Sequence, residues 1–403
     1  MVLKLILQLS LRNIARHKRR NIMLFAAIAV AVAGVSATNT LIRGFQADLL
    51  DSSISNLTGH IKIHAPGYRD DPTIQKSFEL AKNFAPDVPA EELLGWAPRI
   101  RIPAVIMSER ETRGIQLVGV DPNAEHISFL GNVPIDGEAL SGSDDGRVLV
   151  GRELARQLET KVGRRLVIIT QGADGLNRER GFRIVGTYDA EGTALEKIFV
   201  FSGLEKIQEL LDTPNVTEVS VRLHQESQRI SVKRRLLDFF VGLEVMDWRE
   251  LEPQAAAMYL FADSIFFIWF ALLMSALIFG LVNTLIAAVM ERVKEFGMVR
   301  AIGMRKSMVI SQVVVESIFI MSIGVVFGLM MGYGLYASIA DGLDLGQFAG
   351  GLATFGMRSM LVPILRPSDF VLVAALSIGL GVLASLYPAW RAVKITPLDA
   401  LRR

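Results

Sequence analysis

The chain contains no cysteine. That absence excludes a disulfide framework, thiolate catalysis, cysteine-ligated metals and acylation of the protein itself as a lipoprotein. Histidine is scarce too, limited to His17, His60, His64, His126 and His224, and no metal-ligand spacing falls on one element. His60 and His64 sit close together on one face of an expected strand and read as surface histidines. HExxH, GxSxG and GxxxxGK[ST] are all missing, so zinc-peptidase, serine-hydrolase and P-loop ATPase chemistry has no carrier here. The chain reads as a non-enzyme with no cofactor or metal of its own.

What it has in excess is apolar chain. Hydrophobic residues make up 51% and mean hydropathy is +0.38, above an ordinary soluble domain, and the surplus is localised. Between Arg20 and Arg43 lie 22 uncharged residues; at about 1.5 Å per residue they match a hydrocarbon core of roughly 30 Å. Residues 264–290 are uncharged for 27 residues, 24 more lie between Glu316 and Asp341, and 21 lie between Asp369 and Arg391. Four membrane spans are expected. The first is too long, and starts too far into the chain, to be a cleavable signal.

The net charge of +2 says little, but its distribution sets a topology. Residues 1–20 carry six Lys or Arg and no acid, 291–306 carry five against two Glu, and 391–403 carry four against one Asp. Short basic segments stay on the cytoplasmic side. The expected order is a cytoplasmic amphipathic helix (1–20), a first span (21–42), an extracytoplasmic domain (43–263) and a second span (264–290). A cytoplasmic segment (291–306), a third span (307–340), an external loop (341–369), a fourth span (370–390) and a cytoplasmic tail (391–403) follow. Both termini lie inside.

The external stretch is mixed α/β. Strand-like runs are 59–65, 147–151, 165–170, 182–188, 197–201 and 218–223, and helix-like runs are 153–161, 203–211 and 225–243. Alternation of the two favours small layers with partly antiparallel sheets. Two subdomains fit the length, with a piece near 95–213 inserted into one formed by its flanks. Arg99, Arg101, Arg110 and Arg113 read as a solvated basic cluster.

Within the spans, Gly324, Gly328 and Gly332 form consecutive small-xxx-small repeats that let helix backbones approach, within the chain or across a dimer. Glu316 is the acid inside an apolar stretch, and such a carboxylate is a candidate for an intramembrane functional group or a cation-paired structural one. On the 291–306 segment, Val293, Phe296, Val299 and Ile302 fall on one helical stripe, with Glu291, Arg292, Glu295 and Arg300 on the rest. By periodicity alone this is an interfacial connector with a charged face.

The wording of that segment says more. ERVKEFGMVRAIGMRKSMV (291–309) resembles the ERxxEIGxxRAIGA signature of FtsX/MacB-type ABC transporter permeases, closest to the lipoprotein-releasing subunits. LRNIARHKRRN (11–21), GHIKIHAPGY (59–68), GIQLVGVDPNAE (114–125), VLVGRELARQL (148–158), VMDWREL (245–251) and YPAWRAVKITPLDALR (387–402) extend the likeness along nearly the whole chain. Phe296 replaces the usual Ile, and Met304 a small residue.

The resemblance implies four membrane helices with a MacB-like periplasmic α/β domain, in the bacterial inner membrane. It further implies a coupling helix in which Glu291, Arg292, Glu295, Phe296, Gly297, Arg300, Ala301 and Gly303 dock on a separate cytoplasmic ATPase that binds ATP and Mg. A second permease copy or related permease, membrane lipids and a periplasmic lipoprotein carrier are the other partners implied, and nucleic acid is not among them. The leading expectation is ATP-driven extraction of a lipoprotein or other amphiphile by mechanotransmission. The alternatives are an FtsX-like transmitter acting on an external hydrolase or sensor, and an efflux permease working with a periplasmic adaptor.

Overall fold

The computed structural model describes residues 12, 18–81, 84–190, 193–291, 298, 305–344, 346 and 360–394. The amphipathic 1–20 segment, save Arg12 and 18–20, lies outside them. The chain divides into two compact units, one holding the described residues up to Gln46, from Leu260 to Asp344 and from Met360 onward, the other Ala47–Tyr259.

The first unit is helical. Helix α1 spans Lys18–Ser55, its residues from Ala47 counting to the second unit. The other helices long and apolar enough to cross a membrane run over Pro253–Glu291, Lys306–Ser338 and Pro367–Lys394. At 38 and 39 residues, α1 and Pro253–Glu291 are each nearly twice the roughly 20 residues that a span needs. Their shared core joins Ile28 and Val32 to Phe270, Leu281, Met321 and Val373. Outward faces stay apolar, with Phe267, Trp269, Phe327 and Leu383 exposed in the single chain, as expected of helices whose surroundings are lipid or another span.

In the second unit the strands are β1 (Ile61–His64), β2 (Leu93–Met107), β3 (Thr112–Val120), β4 (Ile135–Gly137) and β5 (Val148–Gly151). After helix α2 (Arg152–Gln157) come β6 (Arg165–Gln171) and β7 (Asn177–Tyr188). Then follow α3 (Leu195–Ile198), β8 (Phe199–Gly203), α4 (Leu204–Leu211), β9 (Glu218–Leu223), α5 (Arg229–Phe239), β10 (Glu244–Asp247) and α6 (Trp248–Leu251). The remaining membrane helices become α7 (Pro253–Glu291), α8 (Lys306–Ser338) and α9 (Pro367–Lys394).

Strand order is β10-β1-β9-β2-β3-β8-β5-β7-β4, with β6 pairing both β2 and β7. Pairing therefore returns from β7 through β6 to β2 and closes a ring, which leaves few unpaired edges. Strand β2 serves two neighbourhoods: Leu93–Arg99 pairs with β9, and Ile100–Met107 with β3. Pro98 and Pro103 interrupt this strand, and for that reason it does not read as one in the sequence. Pro103 lies opposite Gln116 of β3, and its carbonyl accepts from Thr170 Oγ1 at 3.0 Å.

Candidate functional site

In the membrane unit, the three glycines of α8 face α1. A methyl added to Gly324 would meet Ile28 Cγ2 at 2.6 Å, one on Gly328 would meet Val32 Cβ at 2.7 Å and the Ala29 carbonyl oxygen at 2.8 Å, and one on Gly332 would meet Ser36 Cβ at 2.9 Å. The contact is within the chain. Absent side chains let the helix backbones touch, where lipid offers no hydrophobic drive. Helix α9 approaches in the same way, Gly381 lying against Met321. Glu316 is buried on α8 beside Gln312 and Ser317.

A polar clamp built from residues that bound the apolar spans ties three helices together. Arg43 of α1 donates from Nε to Asp369 Oδ2 of α9 at 2.8 Å and from Nη1 to Asp263 Oδ1 of α7 at 2.9 Å. Asn39 Nδ2 also donates to Asp369 at 2.8 Å, and Gln46 Nε2 to Asp263 at 3.2 Å. One planar guanidinium reaches two carboxylates at once, a fork that lysine's single ammonium lacks. Three charged residues at three span ends, far apart in sequence, were the available signal.

Of the residues expected to dock on an ATPase, Glu291 is the exposed last residue of α7. Arg292, Glu295, Phe296, Gly297, Arg300, Ala301 and Gly303 lie outside the described residues.

The second unit corrects two expectations. Arg99, Arg101, Arg110 and Arg113 do not form one solvated cluster. Arg99 is fully buried and makes a two-point ion pair with Glu125, at 2.6 and 2.8 Å, while Arg110 pairs on the surface with Glu159 and Arg113 with Glu111. Position separates them: Arg99 and Arg101 lie within β2, Arg110 in the turn after it and Arg113 on β3. His60 and His64 are buried, not surface residues. His60 Nδ1 accepts from the Leu223 amide at 3.1 Å; burial, with Arg222 and Arg229 nearby, lowers its pKa to about 4 and keeps the ring neutral.

Around them lies a buried charge cluster. Glu218 faces Lys62 at 3.1 Å, Arg101 at 3.5 Å and Arg99 at 3.8 Å. Burial opposes its ionisation, but the Arg101, Lys62 and Arg99 charges outweigh that and hold the carboxyl at about 2. Burial and the Arg101 charge push the Lys62 ammonium the other way, down to about 7, against the attraction of Glu218. Among the described residues, no group of three or more His, Cys, Asp or Glu is placed to hold a metal.

Four apolar helices, with an α/β domain between the first two, define a class: an integral-membrane protein with one large domain outside its spans. A family model described as the MacB-like periplasmic core domain matches residues 22–239, and one described as the FtsX-like permease C-terminal matches residues 265–397. The chain belongs to this FtsX/MacB permease family, and is a bacterial inner-membrane permease of the ABC-transporter type. It is similar to the lipoprotein-releasing system transmembrane protein LolC of Xylella fastidiosa, 23% identical over 96% of both chains. The corresponding LolE of Haemophilus influenzae is 24% identical over 93% of this chain and 91% of that one. The macrolide export ATP-binding/permease protein MacB of Agrobacterium fabrum is 24% identical over 96% of this chain, but only 59% of that longer protein is matched.

Proposed function

We propose that this chain, with a separate cytoplasmic ATPase and a second permease chain, extracts lipoproteins from the outer leaflet of the inner membrane. The observation that carries the reading is end-to-end similarity to lipoprotein-releasing subunits, which covers nearly all of both chains.

The geometry supports it in two ways. Helices α1, α7, α8 and α9 are packed and clamped to one another, so a push on one is shared by the others. Apolar outward faces on α7, with Phe267, Ile268, Trp269 and Leu272 exposed, suit lateral passage of an acyl chain against a facing protomer. The termini face the cytoplasm, where the charged 291–306 segment, through Glu291, Arg292, Glu295, Phe296, Gly297, Arg300, Ala301 and Gly303, meets the ATPase. A periplasmic carrier receives the cargo.

Depletion of the protein tests the reading. Lipoproteins normally sent outward should accumulate in inner-membrane fractions. An unchanged distribution of acylated proteins would refute it.

A further inference from the structure

The second unit contains a cavity of about 400 Å³ bordered by β1, β2 and the segment after β1. Three cations line it, Lys62, Arg69 and Arg101. Lys62 and Arg101 share Glu218, while Arg99 behind them is taken up by Glu125. Arg69 is exposed and spends two of its donors on backbone carbonyls, those of Glu250 at 3.0 Å and Leu251 at 3.3 Å. No carboxylate pairs with it among the described residues. Glu252 is the one acid in the lining, so with Glu218 counted behind the wall the cations exceed the acids while Lys62 is protonated, below about pH 7.

A second observation points to a ligand independently. His64 also lines the cavity and is 1% exposed, yet its Nε2 has no hydrogen-bond partner. Its Nδ1 lies 3.0 Å from the Ala65 carbonyl oxygen and 3.5 Å from Glu244 Oε2, both acceptors, which favour a proton on Nδ1; in the neutral ring with that tautomer, Nε2 is a buried acceptor. A buried polar atom left without a partner calls for an occupant. Phe199 and Leu195 supply an apolar wall opposite.

We propose that this cavity binds a phosphoryl anion that also carries a hydroxyl, such as a glycerophosphoryl group. The phosphoryl oxygens take the Arg69, Arg101 and Lys62 donors, the hydroxyl donates to His64 Nε2, and the short carbon body rests on Phe199. Charge-assisted bonds of this kind are the strong ones, and Arg is suited to a two-point grip on phosphate.

The test uses the full chain purified in an uncharged detergent, titrated calorimetrically with sn-glycerol 3-phosphate. Saturable binding is expected, weakened about tenfold or more by Arg69→Gln, since hydrogen bonds to charged groups are worth roughly that factor. Arg69 is exposed and outside the buried cluster, so this variant keeps the fold; an unchanged melting temperature verifies that. Arg110→Gln, on the distant Glu159 pair, should bind as the parent does. The same titration with inorganic phosphate and with phosphatidylglycerol nanodiscs separates the sources: nanodisc binding lost in Arg69→Gln identifies a lipid headgroup, and binding confined to the soluble probes identifies a free phosphate ester. No saturable heat with any probe, or binding indifferent to Arg69→Gln, would overturn the proposal.

Discussion

Replacing Gly328 with alanine sets a methyl carbon 2.7 Å from Val32 Cβ and 2.8 Å from the Ala29 carbonyl oxygen. Backbone oxygen cannot rotate away, so α1 and α8 must separate. Overpacking of this kind costs about 1–3 kcal/mol. Alanine also gains up to about 1 kcal/mol over glycine in helix propensity, which would blur the result. Gly334, six residues on in the same helix, supplies the correction, because a methyl there meets nothing within 4 Å. The propensity gain is common to both variants, so the difference between Gly328→Ala and Gly334→Ala isolates the clash, about 1–3 kcal/mol. Unfolding of the purified chain in detergent, followed by tryptophan fluorescence against rising denaturing surfactant, reads that difference. Because the chain has no cysteine, Ser36→Cys with Gly332→Cys supplies the only thiols; their Cβ positions, 2.9 Å apart, need part by only about 1 Å to reach disulfide geometry, so mild oxidation should close an intrachain bond. Equal stability of the two alanine variants, or a bond formed solely between chains, would refute the α1–α8 contact as drawn.

Four other predictions follow from other parts of the molecule. Arg43→Gln leaves Asp369 and Asp263 without their shared cation; allowing for partial exposure, the loss should be about 1–3 kcal/mol, and Arg43→Lys should restore only part, as measured by the same unfolding assay. Arg99→Met strands the buried Glu125 carboxylate and should cost about 3–5 kcal/mol, whereas Arg110→Gln on the surface pair should stay within about 0.5 kcal/mol; equal thermal shifts would contradict the burial contrast. On acidification, the folded His60 and Glu218 (about 4 and about 2) refuse protons that the unfolded chain takes at 6.5 and 4.5. Stability should therefore fall as pH drops from 6.5 to 4 and again from 4.5 to 2. Lys62, at about 7 against 10.5, adds stability as pH rises between those values, so a melting temperature flat from pH 4 to 10 would contradict the His60 and Lys62 assignments, and one flat from pH 4.5 to 2 that of Glu218. Glu295→Lys and Arg300→Glu should insert normally yet uncouple ATP hydrolysis from lipoprotein release in reconstituted vesicles, and full release by either would remove the coupling role.

The external domain shows where local pattern stops being informative. Strands such as β6 and β9 alternate or run apolar without interruption and are visible in isolation. Strand β2 is not, because its prolines are acceptable only where one side of the backbone needs no ladder donor, and that depends on which strand lies alongside. The glycine repeat announced close packing but not its partner. Only the fold sets Ile28, Val32 and Ser36 opposite those glycines.

Sequence alone determined the properties that depend on composition along the chain: four spans, a large domain between the first two, no thiol chemistry, and the charged segment between the second and third spans. Apolar length and local charge act through the bilayer, which reads each segment separately. Tertiary structure decided everything that rests on pairing across long separations. Four arginines that read alike became one buried ion pair, one partner of Glu218 and two surface pairs. Two histidines read as surface residues became buried, one accepting from the Leu223 amide and the other facing a cationic cavity. Charge and hydrogen-bonding capacity belong to the residue, but burial and partner belong to the fold, and those two set whether a charge is solvated, structural or available to a ligand.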